Sequence, residues 1–207
     1  MNIAYRFRIY PNREQEVLLA KTFGCCRFLY NQMLNDKIRE YEATKKMLRN
    51  TPAMYKKAYP FLKEVDSLAL ANVQMHLEKA YKNFFREPKI GFPRFKSKHH
   101  SRNSYTTNVV NGNILVEDNR IRLPKLKWIS MKKHREPAEN CCLKSVTVSM
   151  EPSGKYFASL LYEGYSCENQ AADKDYSNAK ILGIDYAMQG MAVFSEKVET
   201  EEAGFFR

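Results

Sequence analysis

Residues 3–15 read Ile3-Ala4-Tyr5-Arg6-Phe7-Arg8-Ile9-Tyr10-Pro11-Asn12-Arg13-Glu14-Gln15, and this stretch decides the fold class. Ile3, Tyr5, Phe7 and Ile9 alternate with Ala4, Arg6, Arg8 and Tyr10. A period of two is that of a strand with one apolar face, and here the opposite face is basic. Pro11 lacks an amide hydrogen and ends the strand. Asn12 with Gln15 three residues later is a capping box, so a helix follows at once. The chain therefore opens with one strand and passes directly into helix.

Working outward, two helices are expected, broken near Gly24. The second carries Cys26, Tyr30, Met33, Leu34, Ile38 and Tyr41 at helical spacing, a stripe that reads as core. Thr51-Pro52 marks another helix start, with proline where no amide hydrogen is needed. Tyr59-Pro60 interrupts that helix. Asp66 or Ser67 caps a third, whose apolar stripe is Leu70, Val73, Leu77, Tyr81 and Phe84, ending before Pro88.

The character then changes. Pro93 disfavours helix at Phe92, so residues 91–98 are extended. Short strands are expected at residues 104–110, 114–117 and 120–123, with turns at Asn111-Gly112 and Asp118-Asn119. Residues 145–150 and 156–162 form a hairpin around Pro152-Ser153-Gly154. One strand, a helical insertion and then four or more strands predict an α+β, multi-domain chain with a small β-barrel interrupted by helices. Residues 164–180 are polar and aperiodic and read as a linker. Ile181 to Asp185 is a buried-type strand ending in a carboxylate, and residues 190–195 are a second strand.

Charge narrows the function. The 207 residues hold 34 Lys and Arg against 23 Asp and Glu, a formal net charge of +11. The surplus is uneven. Residues 1–135 carry 28 basic and 11 acidic residues, whereas residues 136–207 carry 6 and 12. A basic front with an acidic back suggests a phosphate-binding part joined to something else. The 13 Tyr and 12 Phe are too many for a disordered basic tail. No apolar run approaches the ~20 residues of a membrane span, and residues 1–12 lack a secretory signal. The expected location is the cytoplasm, with no membrane partner.

Arg94, Lys96, Lys98 and Arg102 interleave with Phe92, Phe95 and Tyr105. In extended chain this sets cations for phosphates and rings for bases. A second run contains Arg120, Arg122, Lys125, Lys127, Lys132, Lys133 and Arg135, with Trp128 among them. Each run alone is a solvated basic surface; two runs with the charge asymmetry favour nucleic acid. The cysteines Cys25, Cys26, Cys141, Cys142 and Cys167 lack the Cys-x-x-Cys spacing of structural zinc. They read as small buried hydrophobes, with no zinc site expected within 1–207. Asp185, at the end of a hydrophobic strand, is placed to hold a divalent metal at a sheet rim.

These residues also carry a resemblance. Ile9-Tyr10-Pro11-Asn12, followed by Phe23-Gly24-Cys25-Cys26-Arg27-Phe28-Leu29-Tyr30-Asn31, resembles the start of the OrfB/TnpB proteins encoded by small insertion sequences. So does Tyr81-Lys82-Asn83-Phe84-Phe85-Arg86 followed by Gly91-Phe92-Pro93-Arg94-Phe95-Lys96-Ser97-Lys98. Leu182-Gly183-Ile184-Asp185 with Ala192-Val193-Phe194-Ser195 is similar to the first RuvC-like motif of that family. The resemblance covers essentially the whole chain.

It implies a split wedge-type barrel at 1–11 and 101–163 and a helical recognition insertion at 12–100. The linker at 164–180 then leads to the start of an RNase H-like (RuvC-like) nuclease domain at 181–207. It implies an RNA-guided DNA endonuclease, long called a transposase and related to type V CRISPR effectors. The partners would be a guide RNA from the transposon end and target DNA, and the cofactor Mg²⁺. Asp185 becomes the first metal ligand of a partial catalytic site. The nucleic-acid contacts become Arg6, Arg8, Arg27, Arg86, Phe92, Arg94, Phe95, Lys96, Lys98, Arg102, Lys125, Lys127, Lys132 and Lys133.

Two departures stand out. Ala187 occupies a position where the family has Gly, and the sequence stops at Arg207, before the second and third nuclease motifs. The expectation is a chain that binds but does not cut, unless a separately encoded C-terminal part supplies the remaining carboxylates. Two alternatives remain: a non-catalytic binding module or regulator, and a sequence-specific helix-turn-helix binder with its turn at Gly24.

Overall fold

The computed structural model describes residues 2–137, 140–164, 184–185 and 193–194. Residues 1–165 form one compact unit and residues 166–207 a second. The first unit is α+β. Strand β1 (Asn2–Tyr10) runs into helix α1 (Arg13–Thr44); α2 (Pro52–Ala58), a 3-10 turn (Pro60–Lys63) and α3 (Ser67–Arg86) follow. Strands β2 (Asn103–Asn108), β3 (Leu115–Glu117), β4 (Arg120–Leu123), β5 (Lys127–Lys132), β6 (Cys142–Met150) and β7 (Tyr156–Glu163) complete it.

The seven strands make one antiparallel sheet in the order β2-β6-β7-β1-β5-β4-β3. The sheet curls into a half-barrel with β2 and β3 as its edge strands. Strand β1 lies between β7 and β5: Phe7 faces Ala158, and Ile9 faces Met131. All four side chains are buried, while Arg6, Arg8 and Tyr10 are exposed, which is the expected alternation. Strand β5 had no counterpart among the expected strands. Ile129 and Met131 are buried between exposed Ser130 and Lys132, a period of two hidden within a run of lysines.

Helix α1 starts as the capping box requires. The Gln15 amide nitrogen donates to Asn12 Oδ1 and the Asn12 amide nitrogen to Gln15 Oε1, both at 2.9 Å. The Gln15 side chain also donates to the carbonyls of Leu126 and Trp128, each at 2.8 Å, fastening the helix start to the β4–β5 turn.

The expected break at Gly24 does not occur: α1 is continuous for 32 residues. Leu19, Phe23, Cys26, Leu29 and Met33 are buried on both sides of Gly24, so packing holds the helix across the weak residue. A Cβ at Gly24 would meet nothing within 4 Å. Gly24→Ala is therefore expected to stabilise the protein by about 0.5–1 kcal/mol in a urea titration. Destabilisation would indicate a helix break there after all.

Asp66 caps α3, accepting from the Leu68 amide at 3.1 Å. Its other carboxylate oxygen accepts from the Thr107 hydroxyl of β2, joining helix to sheet. The core is shared between layers: Phe7 and Ile9 of β1, Leu29 and Met33 of α1, Leu70 and Leu77 of α3 are all fully buried. Helix α2 is tied down through a buried amide. Asn50 donates to the Met33 carbonyl at 3.1 Å and to the Tyr55 hydroxyl at 2.8 Å, and that hydroxyl donates to Asp36 at 2.7 Å. No helix among the described residues is long and apolar enough to cross a membrane.

The cysteines divide. Cys25 and Cys26 are buried, as expected, but Cys141 is only half-buried and Cys142 is exposed; Cys167 lies outside the described residues. Burial pushes the Cys26 thiol up to about 12. A thiol so held gives almost no thiolate at pH 8. Brief native alkylation followed by mass spectrometry should label Cys142 and leave Cys26 untouched. Early labelling of Cys26 would contradict its burial.

In the second unit, β8 (Ile184–Asp185) pairs antiparallel with β9 (Val193–Phe194), Asp185 opposite Val193. Each falls within one of the two strands expected from the sequence. The rest of the expected linker and nuclease segment lies outside the described residues.

Candidate nucleic-acid interface

The sequence-expected cations fall into two groups. The first surrounds a cleft of about 240 Å³ bounded by α1, α3, the extended connector 91–102 and β2. Arg27 of α1 and Lys96 and Arg102 of the connector line it together. The connector is clamped on α1 by a reciprocal pair of bonds. The Asn31 side chain donates to the Lys96 carbonyl and accepts from the Lys96 amide, both at 2.8 Å. The Lys96 ammonium lies 4.1 Å over the Tyr30 ring, a cation–π contact that fixes its stem. Partial desolvation lowers the Lys96 pKa. Arg27 donates to the Asn103 side chain at 3.3 Å. Arg102 is exposed and also reaches a neighbouring groove lined by Lys98 and His100.

The second group lies on the solvent-facing side of the sheet. Arg8 stands opposite Lys132 in the β1–β5 register, and Arg120 opposite Ser130 in the β4–β5 register. Aromatic rings separate the cations. The Arg6 guanidinium lies 4.0 Å over Phe157, Arg8 lies 5.0 Å over Tyr10, and Arg120 lies 5.6 Å over Trp128. Arg6 is already matched by Glu151, and Lys133 by Glu136 at 2.5 Å. Arg8 and Lys132 have no such carboxylate among the described residues. Lys125 and Lys127 are exposed at the β4–β5 turn, both with positive φ.

The remaining expected residues are placed as follows. Arg86 is exposed in the last turn of α3, where a cation also complements the helix dipole. Arg94 is exposed on the connector. Phe95 is 56% exposed, a ring open to solvent as a stacking platform must be. Phe92 is partly committed to packing, edge-on to Tyr81 at 5.5 Å and to Phe84 at 5.4 Å. Of Asp185 only the strand position is described. Among the described residues no group of three or more His, Cys, Asp or Glu side chains comes together to hold a metal ion.

Sequence reasoning missed two contributors. Asn31 was quoted in the family resemblance without a role, and its clamp spans 65 residues of sequence. His76 of α3 lines the cleft beside Lys96, yet in sequence it reads as one more polar position on a helix.

A family model described as a helix-turn-helix domain, of the OrfB type from IS605 elements, matches residues 1–46. The described part of that span is a strand followed by one uninterrupted helix, without a turn between two helices. The chain is 28% identical over 211 aligned residues to the "Putative RNA-guided DNA endonuclease InsQ" of Escherichia coli (strain K12), covering 99% of this chain and 50% of that protein. It is 30% identical over 204 residues to a "Putative RNA-guided DNA endonuclease" of Streptomyces pristinaespiralis, covering 93% of this chain and 48% of the relative. A third relative, "Virulence protein VsdF" of Salmonella dublin, is 35% identical over 106 residues, 44% of this chain and 89% of that protein. The chain spans about half the length of the first two.

Proposed function

This chain belongs to the OrfB/TnpB family of insertion-sequence proteins, and we propose that it is the nucleic-acid-holding part of an RNA-guided DNA endonuclease, gripping guide RNA and target DNA. The observation that carries the reading is the convergence of Arg27, Lys96 and Arg102 on one cleft, with Phe95, next to Lys96 in the chain, presenting an exposed ring. Cations at fixed spacing neutralise backbone phosphates, and an open ring stacks on unpaired bases. The outer face of the sheet, with Arg8, Lys132 and Arg120 among aromatic rings, extends the phosphate-binding surface.

The cleft tests the reading through counterion release. If Arg8, Arg120 and Lys132 each meet a phosphate of single-stranded RNA and Arg27, Lys96 and Arg102 together hold one more, log K falls against log salt with a slope of about −3. A flat profile, or no binding at low salt, would overturn the proposal. Mg²⁺ would supply Lewis-acid assistance and an activated water in such an endonuclease. Asp185, at the end of β8, would be one of the ligands of that ion. The helix-turn-helix reading has no support in the geometry, because α1 runs through Gly24 without a turn.

A further inference from the structure

The cleft between α1, α3 and β2 has a chemistry more specific than a basic surface. Its volume, about 240 Å³, is below the ~300 Å³ where pockets for drug-sized ligands begin, so it admits one small group and no duplex. Two guanidiniums and an ammonium line it, and no carboxylate is among its described lining residues. Arg27 and Lys96 are held by neighbours, the first by Asn103 and the second by Tyr30 and Asn31. Held cations lose little entropy on binding an anion, and guanidinium forks match tetrahedral oxyanions in pairs of bonds. His76, on α3, completes the ring.

We infer that this cleft seats a single backbone phosphate of the bound strand, held by Arg27, Lys96 and Arg102, with His76 as a fourth donor whose protonation tightens the grip. The inference rests on the nucleic-acid reading and names the group that the cleft takes.

The sign of the pH effect follows from the charges that face the imidazole. Lys96 of the connector and Lys79 on its own helix act on it directly, while Cys26 and Arg27 of α1, Arg102 of the connector and Tyr105 of β2 line the same cleft. Partial desolvation first, then Lys96 and Lys79, hold the His76 pKa below its ordinary 6.5, so without a bound anion the imidazole is mostly neutral at pH 7. A bound phosphate cancels that repulsion and favours the imidazolium. Binding therefore takes up a proton, and by linkage affinity rises as pH falls through the interval between the free and bound pKa values. Above that interval His76 contributes no pH dependence.

The test follows the His76 ring resonances by NMR against pH, assigned by their loss in His76→Gln. The protein is studied alone, with a single-stranded RNA oligonucleotide, and with inorganic phosphate at matched ionic strength. RNA should raise the His76 pKa by about one unit, equivalent to a tenfold gain in affinity across the titration. Arg102→Gln, an exposed position whose change does not threaten the fold, should lower RNA affinity about tenfold. It should also shrink the His76 shift. Inorganic phosphate alone should move His76 less than RNA does, because it lacks the neighbouring strand contacts.

If RNA binds but leaves His76 unmoved, the phosphate seat is overturned and the nucleic-acid reading stands. If phosphate moves His76 and bound RNA does not, the cleft takes free anions and the strand-phosphate inference is overturned. If RNA does not bind at all, both readings fall.

Discussion

Replacing Arg27, Lys96 and Arg102 together by Gln is expected to lower RNA affinity at least about a hundredfold at moderate salt. Each substitution removes a charge-assisted contact worth about 1.5–3 kcal/mol when formed, with losses that overlap because the three share one cleft. The slope of log K against log salt should flatten by about 0.7, the share of the one single-strand phosphate that the three cations hold. A control removes the same charge elsewhere: Lys46, Lys57 and Lys63, all exposed and outside the cleft, changed together to Gln. Its affinity should fall only a few-fold through the screened long-range field. Fluorescence anisotropy with a labelled RNA reads both, after thermal melts show that each variant is folded. Equal losses in the two triples would reduce the cleft to bulk charge.

The second large effect is on stability. Asp66→Ala should destabilise the protein by about 2–4 kcal/mol in a urea titration. The carboxylate accepts from the Leu68 amide at the start of α3 and from the Thr107 hydroxyl of β2, and the side chain is only 9% exposed. Loss of an N-cap costs about 1 kcal/mol. An unpaired hydroxyl in the interior adds about 1–3 kcal/mol. Asp66→Asn retains an acceptor for one partner and should recover part of the loss. The consequence reaches the cleft, because α3 and β2 form two of its walls and Asp66 is the polar bolt between them. A loss below about 0.5 kcal/mol would show that apolar packing alone holds the two elements in place.

The sequence disclosed what local physics controls. The alternation of β1 and the Asn12–Gln15 capping box depend on residues within a few positions of each other, and both appear as read. The same holds for Pro52 at the start of α2, Asp66 at the start of α3 and the 156–162 hairpin strand. Gly24 misled because its intrinsic helix cost, about 1 kcal/mol against Ala, is small beside the burial of Phe23, Cys26 and Leu29 around it. Strand β5 was masked by its lysines; its identity comes from pairing with β1, more than 100 positions away in sequence.

The site was legible as charge and illegible as geometry. Lys96 and Arg102 stood out as cations in aromatic surroundings, whereas Arg27 entered only through the family resemblance. Their convergence depends on the Asn31–Lys96 clamp and on α3 carrying His76 to the same cleft, and neither leaves a periodic trace. Phe92 and Phe95 look equivalent in sequence, yet the first is half-used in packing against Tyr81 and Phe84 while the second is open. Alternation alone cannot separate a core ring from a stacking ring when both lie in an extended connector.

The central claim is that nucleic acid lies along the connector and the cleft it borders. Photocrosslinking of the chain to RNA carrying 4-thiouridine, followed by peptide mapping, locates the contact directly. The account predicts adducts on the connector, at Phe95 and its neighbours through Arg102, with weaker labelling near Tyr10 and Trp128 on the sheet face. Labelling confined to α2 and the acidic residues after Glu163, or absent from the connector while RNA is bound, would contradict it.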